Sequence, residues 1–172
     1  QIQGNAMELS MEIDVKDAPA LELNVLRSRN SEEYTRIVFY KGRGNAAGRE
    51  YRLGEIPVLM QKGQTPPVPG NNTPPARLSL ISIESAHASL HPDVRPRAPE
   101  TAPVMLANDE KLNLRVFIDR SVVEVFVNGK QALAVRVYPS RDDSTGISIR
   151  SQGSDSELIS LSAWQMKNIY ED

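Results

Sequence analysis

Asp119 and Glu124 stand five positions apart in a stretch of alternating apolar residues. Two carboxylates can act as nucleophile and acid/base when held about 5–5.5 Å apart. Asp119, however, is a natural turn residue, and Glu124 has a cation within reach, Arg115. The pair is therefore read as a turn and an ion pair, not as a catalytic dyad. His87 and His91 are four apart, a spacing that would suit a metal on a helix. Here they lie between a strand and a proline-rich loop, with no helical period and no cysteine to join them. Asp142-Asp143-Ser144-Thr145-Gly146 is rich in oxygen donors but lacks the spaced ligands of a calcium loop, and reads as a solvated turn. Trp164 and Tyr138 are the candidates for stacking on a sugar ring, set against a plain packing role in a core or interface. Asn71-Asn72-Thr73 is formally an N-glycosylation acceptor. No catalytic residue, cofactor-binding motif, cofactor or metal site is expected from these residues.

Composition narrows the classes further. The chain has 172 residues, 40% of them hydrophobic and 24% charged, with a formal net charge of −2. That length supports one domain with a true core, not two comfortable ones. The charge balance is unlike that of a nucleic-acid binder. No apolar run approaches the length of a membrane-spanning helix, so neither nucleic acid nor membrane is expected as a partner. The first residues have neither a basic nor an apolar leader region. They also lack an initiator Met, and the chain is read as a fragment or a processed product. The absence of cysteine rules out disulfides and thiolate chemistry but does not fix the compartment.

The elements that must hold these residues read almost entirely with period two. Met7, Leu9, Met11, Ile13 and Val15 alternate with Glu8, Ser10, Glu12 and Asp14, the pattern of a half-buried strand. Further strands are expected over Leu21–Leu26, Tyr34–Tyr40, Leu78–Ile83, Ala102–Leu106, Gly146–Arg150 and Leu158–Met166. Three more are expected within Leu112–Tyr138, giving roughly ten and no helix. Between Lys41 and Arg77 six glycines and a proline-rich run interrupt the pattern. Proline donates no ladder hydrogen bond, so a long, partly disordered excursion is expected there. His91–Pro103 carries four prolines and is expected to cross between sheets.

The segment Leu112–Tyr138 carries the most information. Asn128-Gly129 between apolar runs is a strong two-residue hairpin signal, and Arg120-Ser121 is taken as the other turn. In that register Ile118 faces Val123, Phe117 faces Glu124, Val127 faces Lys130 and Val125 faces Ala132. One face of the meander then carries Leu112, Leu114, Val116, Ile118, Val123, Val125, Val127, Ala132 and Ala134, and is read as the core face. The other carries Asn113, Arg115, Phe117, Asp119, Val122, Glu124, Phe126, Gln131, Leu133, Val135 and Val137. That face is more apolar than one open to water, so a cover is expected: the second sheet, a loop or another domain. Arg115 lies diagonally from Glu124, within reach of long side chains, and an Arg115–Glu124 ion pair is expected.

The string L-R-V-F-I-D-R-S-V-V-E-V-F-V-N-G, Leu114–Gly129, followed by A-V-R-V-Y-P, resembles the C-terminal sandwich domain of glycoside hydrolase family 32. This family comprises the invertases, levanases, inulinases and related β-fructosidases. Its signature positions fall on Asp119, Ser121, Glu124, Phe126, Asn128 and Gly129, to which the resemblance gives structural or interface roles. Ser31-Glu32-Glu33-Tyr34-Thr35-Arg36-Ile37 is similar to the family's E-x-T-x-I strand. Asp142–Ile149 and Leu158–Met166 resemble its closing strands. At Ile83-Glu84-Ser85-Ala86 the family's aspartate-arginine turn is missing. The resemblance covers most of the chain apart from Lys41–Arg77.

It implies an N-terminal five-bladed propeller of the same protein as partner, carrying the catalytic carboxylates in Asn-Asp-Pro-Asn-Gly-like, Arg-Asp-Pro and Glu-Cys motifs. None of these motifs is present here: Arg141-Asp142-Asp143 is not Arg-Asp-Pro, and there is no cysteine. The expectation is a single all-β domain over residues 1–172, a two-sheet antiparallel β-sandwich of jelly-roll, concanavalin-like form. The expected role is a non-catalytic module that stabilises the propeller domain of an enzyme cleaving β-fructofuranosyl bonds in sucrose or fructans. The chain alone is not expected to be an enzyme. The parent is expected outside the cell or in the periplasm. The competing readings are a module that binds fructan or another carbohydrate, an oligomerisation module, and a stand-alone enzyme.

Overall fold

The computed structural model of the protein describes residues 2–42, 51–52, 75–107 and 109–167. Eleven strands run in chain order: β1 Ala6–Asp14, β2 Ala20–Arg27, β3 Thr35–Tyr40, β4 Tyr51–Arg52, β5 Pro75–Glu84, β6 Glu100–Ala107, β7 Leu112–Asp119, β8 Val122–Val127, β9 Gln131–Arg136, β10 Gly146–Gln152 and β11 Glu157–Gln165. There is no helix among the described residues. The strands form two antiparallel sheets. One has five strands in the order β11-β1-β7-β8-β9. The other has six, in the order β10-β2-β3-β5-β4, with β6 paired to the far side of β5.

Period-two alternation builds the core between them. Met7, Leu9, Met11 and Ile13 of β1 are 0–3% exposed, while Glu8, Ser10 and Glu12 between them are half-buried on the opposite face. Leu112, Leu114, Val116 and Ile118 of β7 and Val123, Val125 and Val127 of β8 continue the same inner surface. Leu21, Leu23, Val25, Ile37, Phe39, Ile81, Ile83 and Val104 meet it from the six-stranded sheet. The two-sheet antiparallel sandwich follows from these strips of apolar side chains.

Several expectations need correcting. The Lys41–Arg77 excursion, with Asn71-Asn72-Thr73, lies mostly outside the described residues, but β4 and the first residues of β5 fall within it. Pro75 occupies the first position of β5, one of the few places a strand accepts proline. His91–Pro103 does not cross between sheets. It returns the chain from β5 to β6, which are antiparallel neighbours in one sheet, and Pro103 sits on β6 at the edge of that sheet. The turn at Asn128-Gly129 also takes one more residue than expected. Lys130 N–H donates to the Val127 carbonyl across it (2.9 Å), yet the ladder resumes with Val127 opposite Gln131 and Val125 opposite Leu133. A one-residue slip exchanges faces. Leu133 and Val137 therefore point into the core, whereas Ala132 and Ala134 lie on the exposed outer face. The Arg120-Ser121 turn is as expected, with Ile118 opposite Val123 and Phe117 opposite Glu124.

One ladder irregularity depends on a glycine. Between β2 and β10 the register shifts at Gly146, where Leu26 is buried with φ 48°. A Cβ on Gly146 would sit 2.8 Å from the Arg27 carbonyl oxygen, a backbone atom that cannot swing away. Gly146→Ala is expected to destabilise the chain by about 1–3 kcal/mol through overpacking, read as a lower urea midpoint with unchanged m-value.

Candidate functional site

The outer face of the five-stranded sheet gathers the unusual surface residues. Its rows follow from the pairing: Trp164, Glu8, Phe117, Glu124 and Ala134 form one, and Ser162, Ser10, Arg115, Phe126 and Ala132 the next. Phe117 and Phe126 meet edge to face, with centroids 5.8 Å apart and planes at 87°. The Arg115 guanidinium lies 4.9 Å from the Phe117 centroid, and its Nε donates to Glu8 Oε1 at 2.5 Å. Glu8 holds Arg115 in place and raises its pKa. Arg115 thus pairs with Glu8 and not, as expected, with Glu124. Both carboxylates lie diagonally from Arg115 on its two neighbouring strands. Glu8 belongs to β1, which is adjacent to β7 only through a long-range pairing that the meander itself does not reveal. Glu124 and Asp119 are exposed. Of the covers considered for this face, the second sheet is excluded, because it packs on the other side. Phe126 is 39% exposed.

The hairpin at the end of this face is tied by Asn128. Asn128 has φ 50° and Gly129 φ 62°, the left-handed values that favour Asn-Gly here. The Asn128 side chain accepts from the Asn113 N–H (2.9 Å) and donates to the Lys111 carbonyl (2.8 Å) and Glu110 Oε1 (3.0 Å). Asn128→Ala loses these bonds and strains the backbone, while Asn128→Gly loses only the bonds. We expect losses of about 2 and 1 kcal/mol respectively, measured by chemical unfolding.

A second constellation lies at one end of the sandwich, around Glu33. Its carboxylate is buried, and among the described residues no cationic side chain is bonded to it. It accepts instead from the N–H groups of Leu90 (2.7 Å), Ser140 (3.0 Å) and Arg141 (3.1 Å), and from the hydroxyls of Ser144 (2.7 Å) and Ser140. Burial pushes the carboxyl pKa up. The hydroxyls of Ser140 and Ser144 and the N–H groups of Leu90 and Ser140 outweigh that effect and hold it at about 2. This knot joins the start of β3 to the loop after β5 and the loop after β9. Sequence reasoning did not single out Glu33, although it opens the E-x-T-x-I segment. The signal was a carboxylate preceding a strand with Ser140 and Ser144 far away in sequence.

The remaining named residues fall into place around these features. Tyr138, 49% exposed, walls a depression with Asn5, Arg120, Ser121 and the 139–145 loop. The chain enters the fold beside it: Gly4 N–H donates to the Thr145 carbonyl (2.8 Å), and the Asn5 carbonyl accepts from Arg120 N–H (2.6 Å). His87 stacks on Tyr34 at 4.9 Å, and His91 faces Asp93. Asp143 is bound to Arg141 at 2.7 Å, which lowers its pKa. Asp142 stays at the surface. The two histidines and the acidic loop each have local partners of this kind, not one another.

The lip formed by β10 and β11 differs from the rest of the sandwich. On the opposite side β9 approaches β6, with Gln131 Nε2 donating to the Pro103 carbonyl (3.2 Å). At the lip, Leu161 and Leu158 of β11 point to the core side, opposite Met11 and Ile13. They nevertheless stay 39% and 42% exposed, and Ile159 at the bulge is 47% exposed. Every residue of β11 is exposed. Trp164, 51% exposed, points to the other side, into the row of Glu8 and Phe117.

Comparison with known proteins places this architecture. Residues 1–165 match the family described as glycosyl hydrolases family 32 C terminal. Raffinose invertase of Escherichia coli is 42% identical over 64 residues, which is 37% of this chain and 13% of that protein. Levanase of Bacillus subtilis is 33% identical over 96 residues, 55% of this chain and 14% of that protein. Among solved structures, fructan 1-exohydrolase IIa from Cichorium intybus superposes with a TM-score of 0.69 at 15% identity, over 98% of this chain and 32% of that one. Exo-inulinase from Aspergillus awamori gives 0.64 at 18% identity, over 95% and 25%. The structural likenesses establish the fold. The chain spans only a small part of the length of each relative.

Proposed function

Because the chain belongs to glycosyl hydrolases family 32, as a C-terminal domain of that family, we propose that it is the non-catalytic half of a β-fructosidase and stabilises a catalytic propeller domain. The supporting observation is the β10–β11 lip, an edge where Leu158, Ile159 and Leu161 stay open although two of them face the core side. Large apolar side chains left in water along a whole strand mark a surface meant for a partner. An edge strand also offers unpaired backbone groups, which proteins ordinarily cover or blunt. The chain-entry end, where Gln165 Nε2 donates to the Gln3 carbonyl (2.8 Å), lies against the same strand. A domain joined ahead of residue 1 would therefore be tethered next to β11. Relatives named for raffinose, levan and fructan point to β-fructofuranosyl bonds as the parent's substrate class.

In this reading the 172-residue chain releases no fructose from sucrose or levan. Removing it from the parent enzyme lowers the temperature of irreversible inactivation and leaves the bond specificity unchanged. Fructose release by the chain alone, or a catalytic domain equally durable without it, would overturn the proposal.

A further inference from the structure

We propose that the outer face of the five-stranded sheet is a binding platform for a neutral oligosaccharide, with Phe126 as its stacking ring and Arg115 as its principal hydrogen-bond donor. The assignment of a fructosyl chain as the occupant rests on the proposed function; the platform itself rests on the geometry. Phe126 is the most exposed ring of the pair and is braced edge-on by Phe117, so its orientation is fixed before anything binds. On its far side the neighbouring strand offers only Ala132, opposite Phe126, and Ala134. These small side chains leave the ring standing above a low floor. A depression of about 370 Å³ lies beside it, lined by Ser10, Asn113, Arg115, Phe117, Phe126 and Asn128 among others.

The polar groups around the ring suit a polyol. Arg115 is held through Nε by Glu8 and lies over Phe117, and among the described residues its two terminal nitrogens carry no hydrogen bond to protein. The fork is oriented, with donors to spare. Ser10 adds a hydroxyl next to it in the same row. The charge of Arg115 is matched by Glu8, and Glu12 and Glu124 add carboxylates to the same face, so the site offers no attraction to a phosphate, nucleic acid or acidic peptide. It offers paired donors, acceptors and an apolar ring, which is what a ligand of alternating C–H and hydroxyl faces requires. Trp164 shares the row of Phe117, two strands away, and stands three strands from Phe126 in the adjoining row. Three strand spacings, about 14 Å, would let an oligosaccharide, not a single sugar, span Phe126 and Trp164. The apolar lip residues Leu158 and Leu161 point to the opposite side of β11, so a catalytic domain docked there leaves this platform open.

The test is NMR titration of the 172-residue chain with 1-kestose, with levan- and inulin-derived oligosaccharides, and with maltohexaose as a comparison glucan. The expected result is amide shifts concentrated at Ser10, Arg115, Phe117 and Phe126. Binding should be at least tenfold weaker in Phe126→Ala and in Arg115→Met, while both variants keep the wild-type unfolding midpoint within error. Binding of maltohexaose but not of the fructosyl oligosaccharides supports the platform and contradicts the β-fructosidase reading. No shifts at millimolar saccharide, shifts centred on Tyr138, or unchanged affinity in Phe126→Ala overturns the platform. The stability test of the parent enzyme is unaffected by any of these outcomes.

Discussion

Replacing Glu33 by Ala is expected to lower the stability of the chain by about 3–5 kcal/mol, among the largest effects for any single side chain outside the hydrophobic core. The substitution removes an acceptor shared by the N–H groups of Leu90, Ser140 and Arg141 and by the hydroxyls of Ser140 and Ser144. Those donors come from loops brought together by the carboxylate and would be left without that partner, the Ser144 hydroxyl in a buried position. Glu33→Gln keeps the shape but supplies an amide nitrogen where only acceptors are wanted, and is expected to cost about 2–3 kcal/mol.

The same network sets an acid limit. The Glu33 carboxyl falls from its ordinary value of 4.5 to about 2 in the folded chain. Its contribution is therefore fully present above pH 4.5 and is lost as pH falls through about 2. That contribution is about 3 kcal/mol, by proton linkage. Urea unfolding followed by circular dichroism from pH 6 to pH 2 should show this decline in the wild type and a flatter profile in Glu33→Gln. An unchanged midpoint in Glu33→Ala would mean that the loops are held by other contacts.

The second large effect is expected at the lip, and only in the presence of a partner. Leu158→Asp combined with Leu161→Asp changes two side chains that water already reaches. In the isolated chain the fold should survive with a shift of about 0.5 kcal/mol or less, as for other surface changes. In the proposed parent enzyme, burying what remains exposed of Leu158, Ile159 and Leu161 contributes on the order of 3 kcal/mol. Placing two carboxylates there removes that gain and adds an unpaired charge. The inactivation temperature should drop by about 5–10 °C, with the KM for sucrose unchanged. A double variant as durable as the wild type would exclude the β10–β11 lip as the docking surface.

Most of the architecture can be read from alternation alone. The row Met7–Val15, the run Leu112–Tyr138 and the closing segments each announce a strand and its inner face, because burial on one side demands period two. The features that escaped are those decided by partners distant in sequence. Arg115 has a carboxylate on either side. Which one it takes depends on β1 lying beside β7, a pairing across a hundred residues. The extra residue Lys130 in the Asn128-Gly129 turn has no composition of its own. It shows itself only through Leu133 of β9 and Val137 just beyond it being the better core residues, a choice that favours the longer turn over the two-residue one. Glu33 likewise acquires its role from two serines and three backbone groups contributed by other loops. The outer face reads as too apolar for water partly because the two-residue turn counts Leu133, Val135 and Val137 on it; the observed register moves these three to the core side. Phe126 stays on the outer face, 39% exposed.

The position of β1 in its sheet has a consequence for how the chain is made. β1 precedes the other strands of this fold in the chain, yet both of its neighbours, β7 and β11, are translated about a hundred residues after it or more. The sheet containing β2, β3, β5 and β6 can assemble meanwhile from near neighbours, with only β10 joining at the end. At about 5–20 residues per second, β1 waits on the order of 5–20 s with Met7, Leu9, Met11 and Ile13 unpaired. During that interval it is a natural target for a chaperone and an equally natural seed for aggregation.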